Sequence, residues 1–299
     1  MNDIQEKIDA VFENMPNVPR AHIGPSQAGE PCDRRLWLCF RWAVDKTFPG
    51  RMLRLFKRGQ DEEARIVSTL QAIGYDVREY GEDQRHVSFG GHVSGSIDGI
   101  IISPISAILE VKTHNVKSFD ALEKAGVHAY KPEHYIQMQC YMKATDLTKA
   151  LYVAVCKDDD RIYNETVEYN ADHADSAIKR LRRISETEHI PEPISTDATW
   201  YQCRFCECHE FCHSSHITRN VNCRTCAHST PMLSGEWHCM RWKSKVPTDA
   251  QRDGCDAHTP HPDLVPWKLN REKSTELAGF YEGVGLVGEG GRLSKECLN

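Results

Sequence analysis

Apolar residues along this chain fall into short blocks whose spacing shifts from helical to strand-like and back. Residues 1–15 read as a short amphipathic helix, and 16–31 (PNVPRAHIGPSQAGEP) as a loop rich in Pro, Gly and Ser. Gly59–Ile73 carries Ile66, Val67, Leu70 and Ile73 on one helical stripe. Strands are expected around Val77–Tyr80 and His86–Phe89. In Gly95–Lys112, Ile97, Ile100, Ile101 and Ile102 precede a Ser-Pro-Ile-Ser turn and the apolar run Ala107–Val111, which predicts a β-hairpin. Helices near Val116–Ala125 and Glu133–Ala144 follow. A strand at Ala150–Cys156, an acidic turn at Lys157–Asp160, a strand at Arg161–Tyr169 and a helix through Ala174–Glu186 complete the series. The order α-β-β-β-α-β predicts an α/β (α+β) fold, a mixed sheet flanked by helices.

Beyond a Pro-rich link (Ile190–Ile194) the pattern changes. Cysteines replace apolar periodicity, and the tail from Pro262 onward is expected to be flexible. The chain therefore divides into an N-terminal helical and basic segment (1–58), a core (59–190), two cysteine-rich segments (191–216 and 217–262) and the tail (263–299).

Composition narrows the functional classes. Charged residues at 27% and apolar residues at 40% describe an ordinary globular protein, and a net charge of −6 means that any nucleic-acid footprint must be local. No apolar stretch is long enough to cross a bilayer, and MNDIQEKIDAVFENM has no apolar h-region, so the expected location is cytoplasmic. In that compartment thirteen cysteines are better metal ligands than disulfides. The local footprint lies between Asp33 and Arg58, where Arg34, Arg35, Arg41, Lys46, Arg51, Arg54, Lys57 and Arg58 face only Asp33 and Asp45. Trp37, Phe40, Trp42, Phe48 and Phe56 are interleaved with them. Either the cations meet phosphates and the rings stack on unpaired bases, or the rings pack inward and the charges are solvated.

The hairpin carries the candidate chemistry. Glu110 and Lys112, two apart on a strand, leave the same face of the sheet, and Asp98 stands on the preceding strand. Carboxylates inside an apolar hairpin are costly unless they share a cation or ligand. Two that converge form a hard oxygen site for Mg²⁺ or Mn²⁺, and a neighbouring lysine can hold the attacking water. At about 100° per residue, Glu63 projects toward the apolar stripe of its helix, so it too needs a reason.

Asp98, eleven residues and then Glu110-Val111-Lys112 resemble the PD-(D/E)xK nuclease superfamily. The RecB-like branch adds a helix opening with Gly-x-x-x-Glu, matched by Gly59 and Glu63, and a later Gln-x-x-x-Tyr, matched by Gln137 and Tyr141. The resemblance implies a restriction-endonuclease-like core in which Asp98 and Glu110 hold the metal, Glu63 assists, and Gln137 and Tyr141 steady the lysine and the DNA strand.

Cys203-x2-Cys206-x5-Cys212 can clasp a metal with one position open, to be filled by Cys208, His209, His213 or a distant residue such as Cys32. A lone Cys before the nuclease core and C-x2-C-x5-C after it is similar to the iron–sulfur RecB-like nucleases of CRISPR adaptation and of AddB-type subunits. That resemblance implies that Cys32, Cys203, Cys206 and Cys212 hold a [4Fe–4S] cluster pinning the two ends of the core, with Zn²⁺ the alternative. Arg34, Arg35 and Trp37 fit the basic-aromatic continuation after the first Cys, while Cys208 is extra to the pattern. The second set, Cys223-x2-Cys226 with Cys239 and Cys255, reads as a structural Zn²⁺ module or a second iron–sulfur centre. Gly283–Gly288 spells G-x-G-x-x-G, but no βαβ unit surrounds it and no helix is expected after it.

These features predict a Mg²⁺/Mn²⁺-dependent nuclease acting on DNA ends or single strands. Arg34, Arg35, Arg54, Lys57 and Arg58 are expected to guide the DNA, and the resemblance suggests phage or prokaryotic recombination and repair, with a recombination or annealing partner protein. An endonuclease of the CRISPR-adaptation or defence type, and a metal-stapled DNA-binding or scaffold protein, are the alternatives.

Overall fold

The computed structural model describes residues 3–16 and 18–298. Met1 and Asn2 of the expected first helix, Asn17 of the expected loop and Asn299 of the tail lie outside them. Three helices come first: α1 (Asp3–Glu13), α2 (Asp33–Phe40) and α3 (Gly50–Ala72). Then follow β1 (Asp76–Arg78), β2 (His86–Ser88), β3 (Ser94–Ser96), β4 (Gly99–Ser103), β5 (Ala107–His114), α4 (Val116–Tyr130), α5 (Pro132–Thr145), β6 (Lys149–Cys156), β7 (Ile162–Glu168) and α6 (Ala171–Glu186).

Five strands form one mixed sheet in the order β1-β4-β5-β6-β7, antiparallel except for the parallel β5–β6 pair. The parallel pair needs a crossover, and α4 and α5 supply it. Strand β6 is buried from Ala150 to Cys156, as expected of a central strand covered on both faces. On one face α3 sets Ile66 and Val67 against Val77, Ile101, Leu109, Val111 and Val153. On the other, α4 and α5 set Phe119, Leu122, Met138 and Tyr141 against Ile108, Tyr152 and Ala154. The result is the expected mixed α/β architecture, a central sheet between helices.

Within the core, three expectations are corrected. The helix assigned to Gly59–Ile73 begins nine residues earlier, at Gly50, so Gly59 lies inside α3 and does not open it. Pro49, extended at φ −63° and ψ 149°, sets the true start. Ile73 ends the helix and is 67% exposed, off the buried stripe. The segment Gly95–Lys112 is not one hairpin either. Gly95 belongs to β3, which pairs with β2 in a separate two-stranded ribbon, and the chain enters the main sheet only at Gly99. Asp98 therefore sits at the step between ribbon and sheet.

The tail is folded. After α7 (Tyr201–Arg204), a small sheet of β8 (Ser229–Pro231), β9 (Trp237–Cys239) and β10 (Ser244–Val246) is followed by α8 (Ala250–Asp253). The expected flexible stretch forms β11 (Leu269–Asn270), β12 (Ala278–Tyr281), β13 (Gly285–Gly288) and α9 (Ser294–Leu298). Val265, Tyr281, Val287 and Leu298 are its core, and Ser294 Oγ donates to His258 O at 2.6 Å. The G-x-G-x-x-G lies at the β12–β13 turn and along β13, and the short α9 does form after it.

Candidate active site and cysteine cavities

Alternation along β5 sends Glu110, Lys112 and His114 to the face covered by α4 and α5. Glu110 is fully buried. Lys112 Nζ is ion-paired with Glu110 and stands 3.8 Å from Asp98 Oδ2. The Val111 N–H donates to the same Asp98 oxygen at 3.0 Å, so backbone geometry holds Asp98 to β5. The three residues of the sequence motif therefore converge.

The charge balance is uneven. Glu63, presented by α3, joins the same electrostatic cluster as Asp98, Glu110 and Lys112. Burial pushes the Glu63 carboxyl up to about 7, helped by Asp98 and opposed by Lys112. Burial also pushes Glu110 up to about 8, with Asp98 and Glu63 adding to it against Lys112. Burial works against the Lys112 charge but is outweighed by Glu110 and Asp98, so the ammonium stays protonated. One ammonium does not balance three carboxyls, and among the described residues Glu110 Oε2 is buried without a hydrogen-bond partner. A buried unpaired carboxylate oxygen is costly, and hard oxygen donors of this kind fit Mg²⁺ or Mn²⁺.

Gln137 and Tyr141 lie one turn apart on the buried face of α5. The Tyr141 hydroxyl is pushed up first by burial, then by Glu110 and Asp98, which places it within their field. It also abuts β3, where a Cβ on Gly95 would stand 2.6 Å from Tyr141 Oη.

Sequence reasoning missed three neighbours. Tyr152 lies beside Glu110 in the β5–β6 register, and its hydroxyl is hydrogen-bonded to His114 Nε2 (3.0 Å) and His134 Nδ1 (2.9 Å). His114 could have been found, since it stands two residues past Lys112 on the same face. Tyr152 and His134 required the strand register and the helix packing.

The basic segment divides. Trp37, Phe40 and Trp42 are buried, which favours inward packing for these rings, while Phe56 is exposed. Arg34 Nε donates to Pro191 O at 2.7 Å, and Arg35 is ion-paired with Glu30 and Glu207. Both thus join the N-terminal arm to the segment after the core. Arg54 pairs with Asp9. Lys57, near Asp61, and Arg58, which donates to Lys157 O at 2.7 Å, are exposed on the helix that carries Glu63.

Cys32, Cys203, Cys206 and Cys212 line one cavity of about 290 Å³, together with Cys208, His209 and His213. A hydrogen bond with Cys208 pulls Cys206 down to about 7, and Arg35 acts in the same direction. Burial pushes Cys212 up to about 11, opposed by Arg34. The extra Cys208 is directed at Cys206 and at Cys39 of α2. Cys223, Cys226, Cys239 and Cys255 line a second cavity of about 250 Å³ with His228 and His258. There burial holds Cys223 near 12 and Cys226 near 11. Among the described residues, no three His, Cys, Asp or Glu side chains stand as a group able to hold a metal ion. Soft thiol donors in these numbers nonetheless fit iron–sulfur or zinc chemistry.

No protein-family model matches the chain, and no curated protein sequence matches it. Among solved structures it is similar to SSO0001, at 17% identity and a TM-score of 0.46, over 70% of this chain and 96% of that one. An alkaline exonuclease from Laribacter hongkongensis overlaps 60% of this chain and 90% of its own, at 16% identity and a TM-score of 0.39. The same exonuclease in complex with dAMP gives 16% identity, the same coverage and a TM-score of 0.43.

Proposed function

We propose that this protein is a Mg²⁺- or Mn²⁺-dependent deoxyribonuclease acting on DNA ends or single strands. The observation that carries the reading is the fully buried Glu110, one oxygen unpartnered, in a cluster of three carboxyls with a single ammonium. Asp98 and Glu110 would hold the ion, with Glu63 beside them. A divalent ion bound there supplies Lewis acidity toward a scissile phosphate. Lys112, kept charged by Glu110 and Asp98, orients the attacking water and meets negative charge growing on the phosphate. Tyr141 and Gln137 close the site from α5 and limit where the strand can lie. Lys57 and Arg58 offer cations along the approach.

The cysteine cavities belong to the same proposal as structural centres. Cys32, Cys203, Cys206 and Cys212 would carry a [4Fe–4S] cluster, and Cys223, Cys226, Cys239 and Cys255 a Zn²⁺ ion. The test uses end-labelled linear DNA and a closed single-stranded circle, with Mg²⁺ and with chelator. Mg²⁺-dependent release of label from the linear substrate is expected. Cutting of the circle would identify an endonuclease, and no cleavage of either substrate would leave a binding protein.

A further inference from the structure

A third cavity, of about 160 Å³, lies where the N-terminal loop, the turn before β3 and the β8–β10 module meet. Its wall includes His22, His92, Ser94, Arg224, Thr248 and Gln251, and no Asp or Glu. Arg224 is 1% exposed. Its guanidinium donates to Gln251 Oε1 (2.8 Å), Phe40 O (2.8 Å) and Ala21 O (2.9 Å) and stacks 3.8 Å from the Trp42 ring centroid. All these partners are neutral. The charges acting on it are those of Arg41 and Arg252, also cations. Beside it His92 is 4% exposed; its ring faces the backbone carbonyls of Glu236 and Met232, while its Nε2 has no hydrogen-bond partner among the described residues. A buried cation without counter-charge and an orphaned ring nitrogen on one small polar wall are both unfavourable unless a ligand completes them.

We infer that this cavity is a phosphate-binding site, in which Arg224 supplies the charge and His92, Ser94 and Thr248 the surrounding hydrogen bonds. Guanidinium groups suit phosphate, and a water-poor pocket strengthens the attraction. The site is tied to the carboxyl cluster by one stretch of chain. Ser94 lines the cavity, Gly95 abuts the Tyr141 hydroxyl, and Asp98 faces Lys112. Four residues span at most about 14 Å, so one DNA strand can reach both. Its assignment to a phosphate of the substrate strand rests on the nuclease reading; the anion site itself does not.

The test is calorimetric, on the full-length Asp98→Asn protein as purified, without added Mg²⁺ or Mn²⁺. Inorganic phosphate should bind saturably, and His92→Ala should weaken it at least about tenfold. Thr248 is exposed, so Thr248→Glu leaves the core alone and sets a carboxylate at the rim; it should abolish binding while Thr248→Gln retains it. Oligonucleotides ending in 5′-phosphate or 5′-hydroxyl separate the sources. Preference for the former assigns a strand terminus; equal binding, weakened alike by Thr248→Glu, assigns an internal phosphate. Absence of saturable phosphate binding, or affinity unchanged in both His92→Ala and Thr248→Glu, overturns the site. Phosphate binding that Thr248→Glu removes without affecting either oligonucleotide overturns its link to DNA. Cleavage retained by Asp98→Asn would instead fault the proposed active site.

Discussion

At the scale of single residues, the molecule concentrates acid where it is most costly. Glu110 and Glu63 keep their protons to about 8 and about 7, against an ordinary 4.5, because burial disfavours their charge. In the unfolded chain both ionise near 4.5. Between pH 5 and 8 the folded state therefore binds more protons, and its stability falls as pH rises through that window. Thermal melts of chelated protein should show this decline, and added Mg²⁺ should flatten it. Glu110→Gln should raise the melting temperature of the chelated protein at pH 8, since it removes a buried charge with an unpartnered oxygen. The same variant should lose cleavage by on the order of 10²–10³-fold. A Glu110→Gln protein that is destabilised at pH 8 would show that the carboxylate is already well neutralised by Lys112. Asp98→Ala and Lys112→Ala should abolish cleavage and leave the fold intact; full activity in either would remove the proposed site.

At the scale of elements, the legible parts were those in which local pattern and tertiary burial agree. Strand β6 is apolar because both of its faces are covered, and β5 announces its chemistry because Glu110 and Lys112 break an otherwise apolar run. Boundaries are obscured where a residue is tolerated in two settings. The sequence pattern places Gly59 at a helix start, yet a side chain there would meet nothing within 4 Å among the described residues. It therefore costs α3 helical stability without serving packing. Gly59→Ala should stabilise the protein by about 0.5–1 kcal/mol, read by denaturant titration. If cleavage falls at the same time, the glycine is retained to let DNA pass close to the helix one turn before Glu63. The fold of the tail is hidden from the sequence for a different reason. Its strands have two to four residues, too short to show a period, and its core closes only against neighbours such as Pro260 and His258.

At the scale of the whole molecule, residues far apart in sequence are gathered around the cysteine cavity. Arg180 of α6 donates to Asp33 Oδ1, to Ala28 O and to Glu30 O, and Trp37 Nε1 reaches Thr187 O at 2.9 Å. Cys32, Cys203, Cys206 and Cys212 line one cavity beside this joint. Spacing marks Cys203, Cys206 and Cys212, and the resemblance adds Cys32, but the hydrogen bonds that bring the arm back over α6 left no trace in the sequence. A centre bound at this point would cross-link segments about 170 residues apart, and such closures mainly restrict the unfolded chain. On the proposed [4Fe–4S] assignment, anaerobically purified protein is expected to be brown, with iron and sulfide. Cys203→Ser should be colourless, melt several degrees lower and be cut by protease in the link between α6 and α7. Asp98→Asn, with an intact joint, should keep its colour and melting temperature while losing cleavage. The two variants thus separate what holds the chain closed from what acts on phosphate, and a colourless wild-type protein that holds zinc at Cys32, Cys203, Cys206 and Cys212 would assign the joint to zinc instead.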